Sequence, residues 1–207
     1  MKRKEIENET RKNNIIEAAE KLFLKKGYYL TTMDDIAQKS EFSKPTIYKY
    51  FLSKEDIGKH IHLKFLSGRI EHFLKIIESK NTPYDKLYYF AIAYYDYAET
   101  HIDEFKFQLI WDSFPAAEMN VSDQVYNGIK EYNEQIGSVI KNEMKKLMPC
   151  EKPYDEFNLH HTMVSFYASL RVMISHAVFC CSRENVSDGK QFYINFLKLF
   201  LRGLEKN

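Results

Sequence analysis

Between Thr31 and Lys54 the chain has room for three helix starts and the turns between them, and for little else. Thr32 stands three residues before Asp35, so a hydroxyl and a carboxylate can satisfy the first free amides of a helix reciprocally; a short helix over 33–39 is expected. Ser43 then caps a second short helix, over 44–51, with Lys44 and Pro45 in its first turn, where proline's fixed φ and missing N–H cost nothing. Ser53 and Asp56 repeat the hydroxyl-to-carboxylate spacing, and a third helix starts at once. Short helix, tight turn and short helix make a helix-turn-helix.

The chain around this segment reads as all-α. In 207 residues there are only seven glycines and five prolines, too few for the frequent turns of an all-β protein, and the stretches between them carry helical apolar periodicity. About nine helices are expected, over 10–26, 33–39, 44–51, 54–79, 83–101, 103–114, 122–147, 154–182 and 190–205. Met1 to Glu9 is polar without periodicity and reads as a flexible arm. Gly27 falls where a helix wants a left-handed cap. Thr82, Pro83 and Asp85 form another helix start. Functionally the chain divides into residues 1–56, a helix-turn-helix unit with a small core, and 57–207, a larger helical domain.

Charge and cysteine content narrow the function class. The net charge is +1, but residues 1–60 carry thirteen Lys and Arg against ten Asp and Glu, while the remainder is slightly acidic. Nucleic acid would therefore be held by a local surface and not by bulk charge. Cys150, Cys180 and Cys181 lack metal-ligand spacing, and no apolar leader precedes them, which points to the reducing cytosol without a disulfide framework. The most apolar run, Met163 to Cys181, is interrupted by Ser165, Ser169, Arg171, Ser175 and His176, so no membrane span is expected. His160 and His161 are adjacent and not spaced along one helix face, so neither a metal nor another cofactor is expected. No nucleophile–base pair or convergent carboxylates suggest an enzyme.

Residues 10–56 resemble the N-terminal domain of the TetR family of bacterial transcriptional regulators. The resemblance rests on Ala18-Ala-Glu-Lys-Leu-Phe23, Gly27, Thr31-Thr-Met-Asp-Asp-Ile-Ala37, Ser43-Lys-Pro-Thr-Ile-Tyr-Lys-Tyr-Phe51 and Ser53-Lys-Glu-Asp56, in the family's order and spacing. One departure is Pro45, where many members have glycine; it stiffens the start of the second short helix. The resemblance implies that this helix enters the major groove of a double-stranded operator, with Lys44, Pro45, Thr46 and Lys49 nearest base edges or flanking phosphates. It also implies that Tyr48, Tyr50, Lys54 and Thr32 meet the phosphate backbone. Packing within the small domain is the alternative for Tyr48 and Tyr50. Lys54 has a separate argument: a lysine in a helix's first turn opposes the dipole and asks for an anionic partner.

One such unit reads few base pairs, so a homodimer is expected, built from the last two helices. Their apolar residues, among them Phe157, Val164, Leu170, Phe192 and Leu199, serve either that contact or the chain's own core. Eleven aromatic residues between Tyr84 and Phe114 suggest a largely apolar cavity for a small effector. Tyr94, Phe107, Trp111 and Tyr167 are candidate lining residues, with Arg171 a polar contact beside His101, Asp112 and His176; plain core is the competing assignment for each. A ligand-released repressor is the function this combination supports, against a nucleoid-associated or adaptor DNA-binding protein without an effector.

Overall fold

The computed structural model describes residues 3–112, 120–148, 156–181 and 188–205, without the side chains of 112, 156–158, 180 and 181. Expectations placed on Phe114, Cys150 and the side chains of Asp112, Phe157, Cys180 and Cys181 lie outside the described residues. Within them the regular structure is entirely helical, as the scarcity of glycine and proline requires. The helices are α1 (Arg3–Lys26), α2 (Met33–Ser40), α3 (Lys44–Ile47), α4 (Lys54–Glu78), α5 (Pro83–Thr100), α6 (Ile102–Asp112), α7 (Asp123–Leu147), α8 (Glu156–Ser175) and α9 (Gly189–Glu205). A π-helical turn, His176–Cys181, follows α8.

Three boundaries correct the sequence expectation. The supposed arm is helical from Arg3, held by local contacts instead of an apolar face: Arg11 pairs with Glu7 at 2.6 Å and the Thr10 hydroxyl donates to the Ile6 carbonyl at 2.8 Å. The helix expected over 44–51 is α-helical only to Ile47; beyond it the amides of Lys49 and Tyr50 reach back three residues, to Thr46 and Ile47. The expected 154–182 helix leaves α geometry after Ser175.

The chain packs as two compact units, 1–68 with 103–131, and 69–102 with 132–207. The functional division expected at residue 56 therefore differs from the packing division, because residues 57–68 and 103–131 join the helix-turn-helix. In this first unit Ile15, Ala19 and Phe23 of α1 meet Ile36 of α2, Ile47, Phe51, and Ile57, Ile61 and Phe65 of α4. Phe107 and Trp111 of α6 complete this core at 3% and 1% exposure. Each large apolar side chain so buried contributes about 1.5–3 kcal/mol, which a helix-turn-helix of this size cannot do without.

In the second unit the α5, α8 and α9 helices bury Leu87, Phe90, Tyr94, Phe166, Leu170, Tyr193 and Leu197. The Tyr193 hydroxyl, wholly inside, donates to the Ala91 carbonyl at 2.9 Å and so fixes α9 on α5. Val164 and Val172 of α8 and Phe192 and Leu199 of α9 remain exposed, Val172 at 66% and Leu199 at 74%.

Gly58 lies inside α4, where glycine costs about 1 kcal/mol relative to alanine. Its packing role is to let the indole in: a Cβ at this position would stand 2.1 Å from Cζ2 of Trp111. Gly58→Ala is expected to cost about 2 kcal/mol through overpacking, read as a lower melting temperature in thermal denaturation. An unchanged melting temperature would show that the indole swings aside freely.

Candidate nucleic-acid interface

The interface is built from α2, its turn and α3. Thr32 caps α2 reciprocally with Asp35: the Asp35 amide donates to the Thr32 hydroxyl at 3.2 Å and the Thr32 amide to the Asp35 carboxylate at 2.7 Å. Lys26, 2.6 Å away, and then the hydroxyl and amide of Thr32 hold that carboxyl well below the usual carboxylate range. The helix ends at Glu41, a left-handed residue with φ 60°; the Phe42 amide closes the turn on the Ala37 carbonyl at 3.1 Å. A glutamate there forgoes about 1 kcal/mol that a glycine would not.

Ser43 caps α3, accepting from the Thr46 amide at 3.3 Å, and its hydroxyl lies 2.8 Å from that of Thr46. Ile47 points into the core and is fully buried. This anchor leaves Pro45, Tyr48 and Lys49 exposed on the opposite side, and Lys44 and Thr46 half-exposed. Among the described residues Lys49 pairs with no carboxylate. Lys44 is held by Asp34 at 2.7 Å, a solvated pair worth well under about 1 kcal/mol and readily exchanged for a phosphate.

Two residues have other partners than the sequence suggested. The Tyr50 hydroxyl donates to Asn8 of α1 at 3.3 Å, and its ring packs against the core, so it braces α3 on the helical extension that was read as an arm. Lys54, in the first turn of α4, finds its acceptors within the protein. Its ammonium donates to the carbonyls of Tyr28 and Thr31 at 3.2 and 3.0 Å and lies 4.3 Å from the centre of the Tyr28 ring. The dipole argument for a phosphate at this position is thereby answered locally.

Asp56 also does more than close a cap. Its amide donates to the expected Ser53 hydroxyl at 3.0 Å, but its fully buried carboxylate accepts from the Leu52 amide at 3.0 Å and from both the amide and hydroxyl of Ser122 at 2.9 Å. One carboxylate thus joins the starts of α4 and α7 within the first unit. Sequence spacing showed the cap; nothing local in the sequence pairs residue 56 with 122.

The expected effector residues separate. Phe107 and Trp111 belong to the helix-turn-helix core. Tyr94 and Tyr167 lie in the second unit, bridged by Phe90, whose ring is 6.4 Å from one and 6.1 Å from the other; Arg171 is half-buried one turn beyond Tyr167. Sequence reasoning missed Arg69, only 4% exposed, and its neighbour Tyr132. The signal was present: Ile61, Phe65, Arg69 and Phe73 fall four apart on one helix face, and only one of them is charged.

This geometry coincides with a family match. Residues 15–61 fit the model of bacterial regulatory proteins, tetR family. The helix-turn-helix unit is that family's N-terminal domain. The chain is 24% identical over 200 residues to an uncharacterized HTH-type transcriptional regulator, YhgD, of Bacillus subtilis, covering 95% of this chain and 98% of the relative. It is 38% identical over 86 residues to the HTH-type transcriptional regulator HbdR of an Aromatoleum species, covering 42% and 38%. Among solved structures it shares the fold of the regulator FadR from Bacillus subtilis, crystallised with stearoyl-CoA, at a TM-score of 0.60 and 16% identity over 93% of this chain and 97% of that one. Both curated relatives are HTH-type transcriptional regulators, and the family match falls on the residues where α1 to α4 meet.

One titration reports on the support of this interface. His60 packs edge-on to Phe51 and lies 3.8 Å from Asp56. Burial first, and Lys12 second, push its pKa from 6.5 down to about 4 against the pull of Asp56. The unfolded chain therefore binds the proton that the folded one refuses between these values. The stability held above about pH 6.5 is expected to decline progressively as pH falls towards about 4. His60→Gln removes the titrating group, and melting temperatures measured across that window should then show a shallower decline; an identical slope would assign the acid sensitivity elsewhere.

Proposed function

We propose that this chain is a sequence-specific DNA-binding transcriptional regulator that acts as a homodimeric repressor at a palindromic operator and is released by a small, largely apolar or aromatic effector. The observation that carries the DNA-binding part is the exposed edge of α3: Pro45, Tyr48 and Lys49 stand free on a short helix whose other side is pinned by Ile47. Lys49 and Lys44 suit guanine O6 and N7 or a phosphate, and Pro45 with the Thr46 methyl suits a thymine methyl. Tyr48 suits the sugar-phosphate backbone. Tyr50 and Lys54 act chiefly by positioning α3 and α4.

A single α3 offers too few base contacts for specific binding, which favours two copies. The exposed apolar residues Val164 and Val172 of α8 and Phe192 and Leu199 of α9 support a contact between second units. The stretch Leu159–Phe179 is long and apolar enough by composition to cross a bilayer. Its exposed valines are better matched by the neighbouring apolar stripe of α9, and we assign both to the second copy. The likeness to a regulator crystallised with stearoyl-CoA supports a small-molecule effector with an apolar body.

Release follows by population shift. Two α3 helices one turn of DNA apart, about 34 Å, match an operator, and an effector that binds a differently spaced dimer more tightly withdraws the protein from it. A coupling of about 3 kcal/mol weakens operator binding on the order of 100-fold. The helix α4 runs unbroken from Lys54 to Glu78, and a helix transmits a displacement that a flexible linker would absorb.

The DNA edge and the dimer are checked together. Binding to random-sequence duplex at increasing salt should weaken for Lys49→Ala, with the slope of log affinity against log salt reduced by about 1; an unchanged slope would remove Lys49 from the interface. Sedimentation should show a dimer that Leu199→Glu dissociates, and a monomeric wild type would overturn the dimer.

A further inference from the structure

Arg69 is 4% exposed, and among the described residues no Asp or Glu pairs with it. Its neighbours are rings: the guanidinium carbon lies 5.1 Å from the centre of Tyr97, 5.6 Å from Tyr94 and 5.9 Å from Phe73. Burial works to lower its pKa, but Tyr132 and Tyr94 outweigh this and the net direction is upward; the group stays a cation. A buried arginine is ordinarily matched by a carboxylate with hydrogen bonds for its remaining protons. Here the Nε proton has no acceptor among the described residues.

A second donor nearby has the same defect. The Tyr167 hydroxyl is buried without a hydrogen-bond partner among the described residues, and burial, with Tyr132 and Tyr94 beside it, keeps it protonated. Arg69 on α4 and Tyr167 on α8 thus share Tyr94 of α5 and Tyr132 of α7 as neighbours, all within the second unit. Four helices converge on these two donors, and the positive charge, met by Tyr132 and by aromatic faces, has no carboxylate among the described residues. A carboxylate accepts only, carries the opposite charge and presents two oxygens to a guanidinium fork. A neutral ligand would leave the charge unmatched, and the aromatic lining around Arg69 suits an apolar body more than a hydrated inorganic anion.

We infer that the second unit binds a small monocarboxylate with an apolar body, its carboxylate on Arg69 with a hydrogen bond from Tyr167 and its body among the rings of Tyr94, Tyr97 and Phe73. This deepens the proposed effector response and rests on it only for the consequence at DNA; the site itself stands on the buried groups.

The test uses the full chain and four probes: 3-phenylpropanoate and octanoate, each beside its uncharged alcohol. Both carboxylates are expected to raise the melting temperature of the wild type in a saturable way, and the alcohols to act far more weakly. Arg69→Met should weaken carboxylate binding by about 10- to 100-fold, the range for loss of a charge-assisted hydrogen bond. Tyr167→Phe, a milder change should Arg69→Met fail to fold, should weaken it about 3- to 10-fold while leaving the unliganded melting temperature unchanged or higher. Carboxylates without effect on the wild type, alcohols as effective as carboxylates, or undiminished binding by both variants would each overturn the site. Carboxylate binding with unaltered DNA affinity would uphold the site and refute effector release. Sequence-specific DNA binding without carboxylate binding would overturn the site and leave the DNA-binding reading standing.

Discussion

The indole of Trp111 laid on the bare backbone at Gly58 is the contact on which the rest of the first unit depends. Three short helices of the α1 to α3 kind bury too little apolar surface to be firmly stable alone. Trp111, with Phe107 beside it, adds a second layer to their core and touches α4 at Gly58, where no side chain intervenes. The same indole lies 4.8 Å from the Tyr28 ring, and the Lys59 ammonium donates to the Trp111 carbonyl at 3.0 Å. Through these contacts α6 holds α4, and α4 in turn seats the helix-turn-helix. The interface is therefore a rigid surface before it meets DNA, and little ordering entropy remains to oppose binding.

Rigidity at the tip has separate, polar causes. Caps at Thr32 and Ser43 fix where α2 and α3 begin, the left-handed Glu41 fixes the angle between them, and the carboxylate of Asp56 ties α4 to Ser122. Each hydrogen bond is worth only about 1 kcal/mol net, so their value lies in direction: together they leave Tyr48 and Lys49 on a short, fixed edge.

Legibility followed the range of the interactions. The caps at Thr32, Ser43 and Thr82 and the left-handed Gly27 were readable because donor and acceptor lie within a few residues. The starts of α2 to α5 agree with the sequence for the same reason. The early start of α1 was missed because its support is charge pairing and a contact with Tyr50, 42 residues away, and not an apolar stripe. Tyr50 and Lys54 looked like phosphate ligands while their partners Asn8, Tyr28 and Thr31 were unseen. Trp111 and Phe107 looked like sensor residues because an aromatic-rich stretch does not say which core it joins. Arg69 left a trace, a charge on an inward helix face, whose meaning emerges only when Tyr94, Tyr97, Tyr132 and Tyr167 are placed around it.

Two features of opposite character then define the account: an exposed lysine at the edge of α3 and a buried arginine packed among aromatic rings in the second unit, neither paired with a carboxylate among the described residues. The first calls for a polyanion with a groove, the second for a small anion with an apolar body. The most direct measurement is repeated selection of bound duplexes from random-sequence DNA by the purified protein. The account predicts a two-fold symmetric consensus whose half-sites lie about one helical turn apart. A pool that stays random after selection, while binding remains strong and salt-dependent, would contradict it and mark the chain as a sequence-indifferent DNA-binding protein.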